Sequence, residues 1–201
     1  MTQRLTGNEP FEYMGTHAGV GTAAAPAPTV QDFWRWAMSD LLSNTTRGVV
    51  AEFLVGSALR AVSGVRREWD PVDLETPEGV RIEVKSAAYV QAWGQKKQSR
   101  IEFSVARTRP WVRETGEYTE EAPKRQADLY VFAVLGQREC KETDPRDLGQ
   151  WRFYVVATKQ LDKALGDQRT LSLGRLEALR PRKTDYAGLA AAVAEVGAAQ
   201  G

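Results

Sequence analysis

Apolar and polar positions alternate with a period of two along Val72 to Thr76 and again along Val80 to Ser86, with Pro77-Glu78-Gly79 between them. Such alternation marks half-buried strands. A proline with fixed φ beside a glycine able to take positive φ marks a tight turn, so the segment predicts a β-hairpin. IEFSVA, from Ile101, alternates in the same way, while ADLYVFAVLG and WRFYVVATK are nearly continuous apolar runs, as expected of strands covered on both faces. Helical spacing takes over elsewhere. Val50, Ala51, Leu54, Val55, Ala58, Leu59 and Val62 make a stripe on a helix from Asn44 to Val62, with Asn44, Thr45 or Thr46 as its cap. Phe33, Trp36, Ala37 and Leu41 recur on an earlier amphipathic helix, with Asp32 near its start and its aromatics expected in the core. LDKAL and LGRLEALRPR predict short helices, and DYAGLAAAVAEVGAAQG an Ala-rich terminal helix whose small apolar face could dock a second subunit in a homodimer. GEYTEEAPKRQ and GQRECKETDPRDLGQ predict loops. Residues 1–29 end in GVGTAAAPAPT, whose Ala and Pro content builds no core, and predict an irregular extension. Residues 30–201 then form one α/β domain, a central mixed β-sheet flanked by helices.

The hairpin carries the chemistry. Pairing Thr76 with Val80 places Leu74 opposite Ile82 and Asp73 opposite Glu83, and Glu83 and Lys85 share a face because side chains alternate along a strand. Two carboxylates and an ammonium converge on one patch. Like charges across a ladder repel, so the patch needs a compensating cation, either Lys85 or a divalent metal. Paired carboxylates suit Mg²⁺, which binds one or two of them and keeps waters and substrate phosphate in its other positions. On an exposed sheet face the same residues would be an ordinary Glu-Lys pair.

Glu52 interrupts the apolar stripe of the Asn44 helix, and Gly48 and Gly56, four residues to either side, leave space beside its carboxylate. Its bland role is an ion pair with Arg47, Lys85 or another cation. After the hairpin, Lys96, Lys97, Arg100, Arg107, Arg109 and Arg113 face a single acid, Glu102, and Tyr89, Trp93 and Trp111 interleave with them. Cations neutralise phosphates and aromatics stack on bases. Gln91, Gln95 and Gln98 add amides able to read base edges. Nucleic acid, DNA in the first instance, is the expected partner, with Gln91, Gln95, Lys96, Lys97 and Arg100 as the contacting residues.

Asp73 followed by Glu83-Val84-Lys85 resembles the active-site motif of the PD-(D/E)XK, or restriction-endonuclease-like, nuclease superfamily, in which an acid on one strand precedes Glu-X-Lys on the next. The literal Pro-Asp pair is absent. Val72 precedes Asp73 and Pro71 follows Asp70, so Asp70 is an alternative first acid, set aside because it lies beyond the pairing that faces Glu83. FWRWAMSDLLSNTTRGVVAEFLV, AYVQAWGQKKQS and RQADLYVF add a resemblance to an uncharacterised bacterial branch of these nucleases, from Asp32 to about Gln160. The resemblance implies a restriction-endonuclease-like core and a metal-dependent nuclease, an endonuclease or exonuclease. It implies that Asp73, Glu83 and the main-chain carbonyl of Val84 hold Mg²⁺ or Mn²⁺, that Lys85 orients the attacking water or balances charge, and that Glu52 ligates a second metal or positions the first metal's water.

Composition narrows the alternatives. With 201 residues, 42% hydrophobic and 26% charged, the chain suits one full core. Lone Cys140 excludes an internal disulfide framework, and lone His17 argues against a histidine-built zinc site or a Ser-His-Asp triad. No apolar run is long enough to span a membrane and no signal-peptide pattern opens the chain, so a cytoplasmic location is expected. A net charge of +1 means that nucleic-acid binding must rely on local patches. A catalytically silent domain of the same fold, binding nucleic acid or a protein, is the runner-up. A carboxylate-pair glycosidase fits less well because it leaves Lys85 and the basic stretch unused.

Overall fold

The computed structural model describes residues 8–9, 27–68, 70–112 and 115–199. The described elements are α1 (Val30–Met38), α2 (Asn44–Ala58), β1 (Leu74–Glu75), β2 (Arg81–Ala88), β3 (Glu102–Ser104), β4 (Trp111–Val112), β5 (Glu117–Tyr118), β6 (Leu129–Leu135), β7 (Trp151–Ala157), α3 (Thr158–Leu165), β8 (Thr170–Ser172), α4 (Leu173–Ala178), β9 (Arg182–Thr184) and α5 (Leu189–Ala198). The chain forms two compact units, Met1–Leu41 and Leu42–Gly201, and α1 belongs to the first.

In the larger unit the two continuous apolar runs become β6 and β7, the centre of a five-stranded mixed sheet of order β1-β2-β6-β7-β9. β2 and β6 are parallel and the other neighbours antiparallel. Every residue of β6 is buried, as a strand covered on both faces requires. One face of the sheet, with Ile82, Val84, Leu129, Val131, Phe153 and Val155, packs against Ala51 and Val55 of α2 and Leu189, Ala192 and Val193 of α5. The other, with Tyr130, Phe132, Tyr154 and Val156, packs against β3, β8, α3 and α4. This is the α/β architecture the pattern predicts. Leu189, Ala192 and Val193 of α5 are spent on the sheet, while Ala190, Ala194 and Ala198 stay exposed. No helix among the described residues is long and apolar enough to cross a membrane.

Local chemistry explains several departures from expectation. Ser43 caps α2, its hydroxyl accepting from the Thr46 amide, so the cap lies one residue before the Asn44, Thr45 and Thr46 alternatives. That helix stops at Ala58, and Arg60 takes a positive φ. Thr29 and Asp32 form a capping box at the start of α1. Its aromatics are not core: Phe33, Trp34 and Met38 are exposed, as is Trp36 at 84%. The stretch read as the loop GEYTEEAPKRQ contains β5, which pairs with β4 as a short ribbon. Expectations on residues 1–7 and 10–26, including most of the irregular extension and His17, lie outside the described residues.

Candidate active site

The turn fixes the register of the motif hairpin. The Gly79 amide donates to the Thr76 carbonyl at 2.8 Å with Gly79 at φ +82°, and the Thr76 amide donates to the Val80 carbonyl at 2.9 Å. Leu74 then lies opposite Ile82 and Glu75 opposite Arg81, the register read from the sequence. The first arm is shorter than expected, because the ladder ends at Leu74. In a continued antiparallel ladder the Val84 amide would next donate to the Val72 carbonyl. Instead it donates to Oδ2 of Asp73 at 2.7 Å. The carboxylate thus replaces a backbone rung, and the Val84 carbonyl, on the same side of the strand as its amide, faces the edge that β1 vacates.

On β2 the side chains of Glu83 and Lys85 are joined, Nζ donating to Oε1 at 2.5 Å. The parallel register sets Glu83 beside Tyr130 and Lys85 beside Phe132 of β6. Asp73, Glu83, Lys85 and Tyr130 line one cleft of about 300 Å³, and Arg109, Trp111 and Tyr118 line it from the chain around the β4–β5 ribbon. Asp70 also borders the cleft but pairs with Arg67 at 4.0 Å.

The electrostatics follow from crowding acids in a half-buried place. Burial pushes the Asp73 carboxyl up to about 7, the Glu83 carboxylate adds to the rise, and Glu52 adds less; the Val84 amide and Lys85 pull the other way. Burial first, and then Glu83, also raise the Tyr130 phenol, which keeps its proton. Two carboxylates, one of them half protonated near neutral pH, together with a main-chain carbonyl form a donor set that suits a hard divalent cation.

Glu52 acts on Asp73 electrostatically, but it does not line the cleft. Both its carboxylate oxygens are held by Arg66, through Nε and Nη2 at 2.5 and 2.8 Å. The partner is neither Arg47 nor Lys85. Among the described residues no three Asp, Glu, His or Cys side chains gather as a metal cage. Arg66 escaped sequence reasoning because it sits in an aperiodic segment, VRREWD. Tyr130 escaped it because only the parallel pairing of β2 with β6 brings it to Glu83.

The residues expected to touch nucleic acid divide. Gln91 is 8% exposed, and its amide accepts from Arg47 at 3.1 Å and donates to the Ala88 carbonyl at 2.9 Å. Gln95 accepts from the Gln91 main-chain N–H and donates to Ser99, and Gln98 is bonded to Arg138. These hydrogen bonds engage the amides of Gln91 and Gln95 in folding the loop after β2; Gln91 is buried and Gln95 half-buried at the edge of that loop's concavity. Lys96, Lys97 and Arg100 are exposed and make no ion pair among the described residues. They border an open concavity of about 450 Å³ within their own loop, not the acidic cleft. Glu83 lies five residues before the end of β2, roughly 16 Å along the strand from where that loop begins. Among the described residues of that stretch, Arg109 is the basic one that lines the cleft. Arg113 lies outside the described residues.

No protein-family model matches the chain, and no curated protein matches it in sequence.

Proposed function

We propose that the chain is a divalent-metal-dependent phosphodiesterase acting on nucleic acid, DNA in the first instance. The observation that carries this reading is the meeting of Asp73, Glu83 and Lys85 in one cleft, with Asp73 fixed by the Val84 amide. Asp73, Glu83 and the Val84 carbonyl would hold Mg²⁺ or Mn²⁺, which when bound supplies charge for the phosphate and lowers the pKa of a water. To serve as a ligand Asp73 would give up its proton, and the cation would offset the repulsion with Glu83 that the new charge creates. Lys85, already a donor to Glu83, orients the water or balances charge as the transition state forms. Tyr130 offers a protonated hydroxyl beside Glu83.

One observation favours a second reading, a catalytically silent domain that binds nucleic acid or a protein. Glu83 and Glu52 are each closed into a pair, with Lys85 and Arg66. Incubation with single-stranded, duplex and branched DNA and RNA separates the two. A nuclease cleaves with Mg²⁺ or Mn²⁺, stops in EDTA, and loses activity on Lys85→Ala and Glu83→Gln. Binding without cleavage anywhere in the panel establishes the silent domain.

A further inference from the structure

The chain around the β4–β5 ribbon brings a different chemistry to the same cleft. Arg109 precedes β4, Trp111 opens it, and Tyr118 closes β5. The register pairs Trp111 with Tyr118, so both rings stand on the same face of the ribbon. They meet edge to face, centroids 5.0 Å apart and planes at 76°. Tyr118 nevertheless stays 60% exposed. The ring pair accounts for how so short a ribbon is pinned. It does not account for a large aromatic face left in water at the mouth of a cleft that holds two carboxylates, a lysine and an arginine.

We propose that Tyr118, backed by Trp111, is the stacking platform for one unpaired nucleobase next to the scissile phosphate, so that the site takes single-stranded nucleic acid or frayed ends and not the interior of a duplex. The inference rests on the phosphodiesterase reading of the acids and adds the strand state of the substrate. Bases inside a duplex have both faces covered by their neighbours, so only an unpaired base offers its face to a side chain. The size of the cleft points the same way: about 300 Å³ is at the low end for a ligand site, the scale of one nucleotide. Arg109, exposed and without an ion pair among the described residues, supplies a cation for the phosphate attached to the stacked base. Because every base has a π face, recognition of this kind is tolerant of sequence.

The test uses oligonucleotides carrying 2-aminopurine, whose fluorescence falls when the base stacks, as single strands and as full duplexes. They are titrated in EDTA with the parent protein, Tyr118→Leu and Tyr118→Phe. The parent should quench and prefer the single strand. Tyr118→Leu keeps an apolar group against Trp111 but has no π face; it should lose the quench and bind single strands about tenfold or more weakly, with an unchanged circular dichroism spectrum. Tyr118→Phe should restore both. Parent-like quenching and affinity in Tyr118→Leu, or equal parent affinity for duplex and single strand, overturns the platform even where Mg²⁺-dependent cleavage persists. A quench that depends on Tyr118 in a protein that cleaves nothing upholds the platform and removes the phosphodiesterase reading.

Discussion

Arg66 grips both carboxylate oxygens of Glu52, tying α2 to the irregular segment that leads into β1. Its charge also acts on Asp73. Glu52, which the superfamily resemblance expects to serve a metal, is therefore held by a guanidinium. Arg66→Met keeps the aliphatic stem and removes the charge. The Arg66 side chain is 38% exposed and that of Glu52 15%, so solvent screens the pair on the arginine side and the urea midpoint should fall only modestly. Glu52 would then add its charge to Asp73 and Glu83 unopposed, and Mn²⁺ affinity by calorimetry should rise severalfold. Unchanged or weaker Mn²⁺ binding would show that Glu52 plays no part in holding the ion.

The raised Asp73 carboxyl makes a prediction about pH. A folded-state value of about 7 lies above the unfolded one, so between roughly pH 4 and 7 the native state binds the extra proton. Stability of the metal-free protein should fall as pH rises through that window, the reverse of a salt-bridged aspartate. Asp73→Asn can still accept from the Val84 amide but carries no charge. It should match the parent near pH 4 and melt at a higher temperature near pH 8, by calorimetry in EDTA. Adding Mg²⁺ should stabilise the parent, increasingly above pH 7, and leave Asp73→Asn unmoved. Parallel melting curves for the two proteins across pH would remove Asp73 as a raised acid.

What the sequence made legible was set by short-range rules. Pro77 and Gly79 dictate the turn, the turn dictates the register, and the register brings Asp73 beside the Glu83 strand. The uninterrupted apolar runs of β6 and β7 required cover on two faces and received it. Other features depended on long-range pairing, which periodicity does not carry. Spacing in α1 identified an apolar side correctly, yet whether another element covers that side is a tertiary fact, and Trp36 stands in solvent. An amide such as Gln91 looks the same in sequence whether it reads a base or caps a buried guanidinium. β4, β5, β8 and β9 span two or three residues each and lie in segments without the extended alternation that marked IEFSVA around β3.

Arg47 makes the Gln91 distinction measurable. Arg47 is 4% exposed; among the described residues its guanidinium donates only to the neutral acceptors Leu42, Asn44 and Gln91, and its Nε has no partner. Burial accordingly lowers its pKa. Gln91→Ala would strip an acceptor from a cation already short of them, at a cost of about 1–3 kcal/mol. Urea unfolding should report that loss, with nucleic-acid affinity changed only as far as the loop loosens. Full stability with weakened binding would return Gln91 to the role of a base contact.

Lys85 and the lysines of the following loop should separate catalysis from binding, because the structure holds them in different concavities. Lys85→Ala removes a group whose work is done as charge builds in the transition state, so cleavage should vanish while affinity stays near that of the parent. Its loss also leaves the Asp73 and Glu83 carboxylates without their shared cation, and Mn²⁺ should bind at least as well as in the parent. Lys96→Ala combined with Lys97→Ala should do the reverse. Both ammonium groups are exposed and in the proposed complex would meet phosphate alone, so binding should weaken for every sequence, and the slope of log affinity against log salt should fall by up to about two contacts. Turnover at saturating substrate should hold. An equal loss of affinity in the two variants would mean that the acidic cleft and the basic loop grip the same stretch of backbone, and the division of labour between them would be lost.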